Sequence, residues 1–139
     1  MPASAPTEYV SPGGQHFGVR FEDRADYLYA EVTGRKGDHD VGVAYWRVLA
    51  DEVGRRGAQR LLVDARLEGP AMAPEGLGRV ISQFVGSPLE GVRIAYLEAS
   101  AKHVPAMEHG AIRAAELGFE ARVFLDAGTA ERWLRYGGG

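Results

Sequence analysis

The chain has 139 residues, 45% of them hydrophobic and 25% charged, with a formal net charge of −3 and no cysteine. That length and balance suit a single α/β domain with a sizeable core. No Lys/Arg excess marks a phosphate-tracking surface, which argues against nucleic-acid binding, and the lack of cysteine excludes disulfides, thiolate catalysis and thiolate metal sites.

The opening MPASAPTEYVSPGGQ is rich in Pro, Ser, Gly and Ala and has no periodicity. It predicts a flexible arm over 1–16. It has no basic start followed by an apolar run, and no stretch of the chain reaches the ~18 apolar residues needed to span a bilayer. The expectation is a soluble, cytoplasmic protein with one domain over 17–136 and a flexible tail at 137–139.

Alternation at 17–22 sets Phe17, Val19 and Phe21 against Gly18, Arg20 and Glu22, the pattern of a half-buried strand. A short turn separates it from a second strand at 27–33 (YLYAEVT), which predicts an antiparallel hairpin. Its outer edge, at 17–22, offers a route to a homodimer. A polar loop then leads to a helix ending near Arg56, with Asp38 or Asp40 as its N-terminal cap and Gly57 as its C-terminal cap. Its core stripe is Tyr45, Trp46, Val48, Leu49 and Val53.

The run at 60–65 (RLLVDA) lacks polar alternation in its LLV core, as a central, parallel strand covered on both faces does. It delivers the chain to a Gly- and Pro-rich corner at 69–78. From there a helix over 74–85 carries Leu77, Val80, Ile81, Phe84 and Val85 at core-facing spacing. A strand at 92–97, a helix from Pro105 bearing Met107, Ala111 and Ala114, a strand at 121–125 and a last helix holding Ala130, Trp133 and Leu134 complete the order. The prediction is an α/β fold with a mixed sheet of about five strands, an N-terminal hairpin followed by parallel β-α units, and about four helices.

That order, with an LLVD strand entering a Gly-containing corner, resembles the STAS superfamily, the fold of bacterial anti-sigma-factor antagonists. The closing segment, with Val123-Phe124-Leu125-Asp126 and then Ala130-Glu131-Arg132-Trp133-Leu134, is similar to its SpoIIAA-like, or STAS/SEC14-like, branch. Regulatory antagonists carry an Asp-Ser-Ser-Gly-Leu-Gly type motif at this corner, with the second serine phosphorylated. Here Gly76-Leu77-Gly78 is kept and Glu75 stands in place of the acceptor serine, which removes the phosphorylation switch and leaves a fixed negative charge.

The resemblance implies a non-enzymatic regulatory or interaction module without cofactor. It would bind a protein partner or a small apolar ligand at the 69–78 corner, through Asp64, Met72, Glu75, Gly76, Leu77 and Gly78. Its SEC14-like side implies an alternative, a lipid or hydrophobic-ligand carrier with a cavity bordered by some of Tyr27, Tyr29, Tyr45, Trp46, Phe84, Tyr96, Phe119 and Trp133, which otherwise read as core. A weaker alternative is an acid/base enzyme using Asp64 and Glu75, although their spacing fixes no distance between them. Asp64 itself reads either as a ligand contact at a strand end or as a brace for the following loop. Neither Asp38-His39-Asp40 nor His103, Glu108 and His109 has the spacing of a metal site.

Overall fold

Two periodicities build this protein, a period of two in its strands and a stripe of three-and-four in its helices, and together they sort the apolar residues onto two sides of one sheet. The computed structural model describes residues 5–35, 39–69 and 74–137, without the side chains of His39, Asp40 and Pro74. The strands are β1 (Thr7–Val10), β2 (His16–Asp23), β3 (Leu28–Arg35), β4 (Arg60–Glu68), β5 (Arg93–Glu98) and β6 (Glu120–Phe124). The helices are α1 (His39–Arg56), α2 (Pro74–Ser82), α3 (Val104–Glu116) and α4 (Ala127–Tyr136), with a short 3-10 turn at Ala101–His103 before α3.

The sheet keeps sequence order, β1-β2-β3-β4-β5-β6. The first three strands are antiparallel neighbours, and β3 to β6 run parallel. Odd-numbered positions of β2 (Phe17, Val19) join Leu28, Ala30 and Val32 of β3, Leu61, Val63 and Ala65 of β4, and Ile94 and Tyr96 of β5 in the larger core. Val41, Tyr45, Leu49 and Val53 of α1, Val80 of α2 and Ala114 of α3 close over that face. The alternate positions, Tyr29, Leu62 and Ala95, form a smaller core under Ala130, Trp133 and Leu134 of α4. Three successive crossovers therefore lie on one face of the sheet, and only the last helix returns to the other.

The mixed sheet and four helices agree with the expected α/β class, with one strand more among the described residues than expected. The additional strand is β1, inside the segment expected to be a flexible arm. Its residues are mostly exposed, and what makes it a strand is pairing with β2, from Thr7↔Val19 to Val10↔His16. β1 occupies the part of the 17–22 edge from Phe17 to Val19, which the expected dimer would have used.

The helix ends follow their local chemistry. Gly57 takes φ +65°, the left-handed region open to glycine, and the Ala58 amide reaches back to the Val53 carbonyl at 3.1 Å, so Gly57 caps α1 as expected. Asp38 lies outside the described residues, and Asp40 falls within α1. Helix α2 stops at Ser82, earlier than its apolar stripe suggests, and the turn that follows leaves Val85 51% exposed. Asp126 caps α4, its carboxylate accepting from both the amide and the hydroxyl of Thr129 at 2.8 Å.

Candidate functional site

Helices α2 and α3 cross the sheet with small residues between them, Gly110, Ala111 and Ala114 on α3, and this leaves a gap above β5 and β6. The result is an apolar cavity of about 110 Å³. Leu77, Val80 and Ile81 of α2 with Phe84 line one wall, Met107 and the three small α3 residues another, and Ile94, Tyr96, Phe119, Ala121 and Val123 lie on the sheet side. Tyr45 and Trp46 of α1 complete the lining. Trp46 stacks on Tyr96 with ring centroids 6.3 Å apart and an interplanar angle of 24°. Arg122 also contributes to the lining, but its guanidinium sits 5.9 Å from the ring of Trp133 on the opposite side of the sheet.

Two tyrosines of the lining, Tyr45 and Tyr96, hydrogen-bond each other through their side chains, and Tyr45 also bonds Trp46. Burial pushes the Tyr45 phenol above its ordinary value against the opposing hydrogen bonds from Tyr96 and Trp46, and it pushes Tyr96 well above, with nearby Tyr45 and Glu98 adding to the effect. Glu98 closes β5 at only 2% exposure. Its Oε1 accepts from the Ser100 amide at 3.3 Å and lies 3.3 Å from Nδ1 of His103. Glu98 sits at the carboxyl end of β5, outside the cavity lining. Neither Glu98 nor His103 stood out in the sequence as a neighbour of the tyrosines, yet a signal was present. Continuing the alternation Ile94, Tyr96 by one step places Glu98 on the same buried face.

Of the described residues expected at the corner site, Glu75 to Gly78 lie together at the start of α2 and Asp64 lies apart from them. Asp64 lies in the middle of β4, which runs on to Glu68, and it faces α4 rather than α2. It accepts a hydrogen bond of 2.5 Å from the Tyr29 hydroxyl and pairs with Arg66 at 3.1 Å. Arg20 bridges to Glu31 beside them at 3.3 Å, and the Arg24 guanidinium stands 4.0 Å over the Tyr29 ring. Burial, and then the bond to Asp64, hold the Tyr29 phenol far above its ordinary range. Neither a loop brace nor a strand-end ligand contact describes Asp64; it ties β4 to β3 within a charged cluster.

Glu75 opens α2 on the other side of the sheet, so Asp64 and Glu75 have the sheet between them. Glu75 and Gly78 line a shallow polar cleft with Arg79, Ser82, His109 and Arg113, whereas Leu77 points into the cavity and Gly76 is buried. Met72 lies outside the described residues. Among the described residues no group of three His, Asp or Glu side chains gathers as a metal site requires, and no helix is long and apolar enough to cross a membrane.

Neither a family model nor a curated protein sequence matches the chain.

Proposed function

We propose that the protein is a non-enzymatic, STAS-like binding module whose ligand is a small apolar molecule held between the sheet and the α2–α3 pair. The observation that carries this reading is the aromatic-walled cavity of about 110 Å³. Its size selects among the readings open to the sequence. Sites for drug-sized ligands measure ~300–1,000 Å³, while a dry apolar cavity of ~150 Å³ accepts benzene. At about 110 Å³ the space suits an apolar molecule of at most about one ring better than a whole lipid.

The STAS-like assignment is supported by the order of elements, by the Gly76-Leu77-Gly78 segment that starts α2, and by the closing Val123 to Leu134 run. Leu77 links the corner to the cavity, because the residue between the two glycines forms part of its wall. Placement of Asp64 and Glu75 on opposite faces supports binding over catalysis.

Native mass spectrometry of the untagged protein, followed by organic extraction, tests the reading. The expected result is a low-mass apolar molecule bound one to one, or uptake of added toluene by the apo protein. An apo mass that persists in the presence of toluene overturns it. A protein partner at the 69–78 corner is the second reading, favoured by the polar cleft at Glu75, Gly78 and Arg79. Charge reversal at Glu75 then weakens capture of that partner without unfolding the domain.

A further inference from the structure

The solvent side of the α2–α3 pair carries a second recess, the polar cleft at Glu75 and Arg79. We propose that this cleft takes a small phosphate monoester, with the phosphate held by Arg79 and Arg113 and the imidazole of His109 beside them. The inference does not depend on the apolar cavity, and it gives the cleft an occupant other than a protein.

The helical repeat gathers the donors. Glu75, Gly78, Arg79 and Ser82 recur three and four residues apart on α2, and His109 and Arg113 are four apart on α3, so each set shares one side of its helix. These six residues line a cleft of about 350 Å³. A Cβ built on Gly78 would touch Cγ and Nε of Arg113 at 3.8 and 3.9 Å, so the Arg113 side chain crosses to α2.

The charges of the cleft are not matched within the chain. Arg20, Arg24, Arg56, Arg66 and Arg93 each pair with a carboxylate. Among the described residues neither Arg79 nor Arg113 has an ionic partner, although Glu75 stands one helical turn before Arg79. The Ser82 hydroxyl donates to the Arg79 carbonyl at 2.9 Å, which leaves two guanidinium forks and an imidazole as the free donors. Forks arriving from two helices match the three terminal oxygens of a phosphate monoester better than the two coplanar oxygens of a carboxylate. The cleft is also within the ~300–1,000 Å³ of sites for small organic ligands, larger than a phosphate alone needs. Glu75, which only accepts, suits a hydroxyl on the remainder of the molecule.

NMR titrations of the whole chain with glycerol phosphate, inorganic phosphate and a polyglutamate peptide test this, at one low salt concentration because the cleft is open to screening. Glycerol phosphate is expected to give saturable shifts at Gly78, Arg79, Ser82, His109 and Arg113 and to bind several-fold tighter than inorganic phosphate. Arg79→Gln and Arg113→Gln, both at exposed positions, each weaken it roughly tenfold. Arg132→Gln, exposed on α4, leaves it unchanged. Four results overturn the inference: no saturable binding of glycerol phosphate, inorganic phosphate binding equally well, an equal loss in Arg132→Gln, or tighter binding of the peptide. Toluene uptake by the cavity stays the same in all three variants, so failure here and failure of the cavity reading are read separately.

Discussion

The Tyr29 hydroxyl donates a hydrogen bond of 2.5 Å to the Asp64 carboxylate, joining β3 to β4 on the face covered by α4. A buried donor and acceptor satisfied by each other are costly to separate, because the group left behind keeps its desolvation penalty. Tyr29→Phe and Asp64→Asn should each lower stability by ~1–3 kcal/mol. In the double variant the cost should be clearly less than the sum. Urea unfolding of the four proteins measures this, and strict additivity would mean that the bond contributes nothing of its own.

Stability should also fall at alkaline pH. Tyr29, Tyr45 and Tyr96 all have phenols raised above 10.0 in the folded protein, chiefly by burial. A raised folded-state pKa means that stability is complete below the unfolded value and is lost as pH climbs from it toward the folded value. The midpoint of urea unfolding should therefore be insensitive to these groups below about pH 9.5 and drop steeply above about pH 10. The share of tyrosinate absorbance due to these three buried phenols should rise together with unfolding rather than before it.

Two helix glycines should respond in opposite directions to alanine. Within an exposed helix the exchange gains roughly 1 kcal/mol. At Gly110 a Cβ would meet Leu77 Cδ1 at 3.6 Å and Ile81 Cδ1 at 3.8 Å, ordinary contact, so Gly110→Ala should raise the melting temperature. At Gly54 the same atom would lie 2.9 Å from Pro88 Cγ, in a ring that has little freedom to yield, and Gly54→Ala should lower it. A thermal melt of each variant decides the matter.

Most of the architecture is written in local pattern. The FGVRFE alternation, the apolar LLV of β4 and the Leu77, Val80, Ile81 stripe each identify their element because one face of each is buried. Strand β1 escaped that logic, since Thr7 to Val10 bury little and become a strand only by pairing with β2. Asp64 was misplaced for a related reason. Ending β4 at Ala65 puts the aspartate at a strand mouth, whereas ARLE continues the strand to Glu68 and turns Asp64 into a mid-sheet residue opposite Glu31. The cavity was legible only as aromatic content. Its existence depends on Gly110, Ala111 and Ala114 meeting α2, a contact between segments that periodicity within either helix does not encode.

Filling the gap should separate packing from binding. Ala111 lines the cavity and is half-buried, so Ala111→Leu places three more carbons in space that is otherwise empty. The variant should be more stable by up to ~1 kcal/mol and should lose uptake of toluene. Gain of stability with unchanged uptake would locate the ligand elsewhere.

The proposed ligand site requires an accessible apolar space between the α2–α3 pair and the sheet. Xenon occupies such cavities without needing any polar contact, which makes a xenon titration followed by methyl NMR the most direct measurement. Saturable shifts are expected only at the methyl groups of the lining, those of Leu77, Val80, Ile81, Leu89, Ile94, Met107, Ala111, Ala114, Ala121 and Val123. Shifts that do not saturate, or that spread evenly over the methyl groups of both cores, would contradict it.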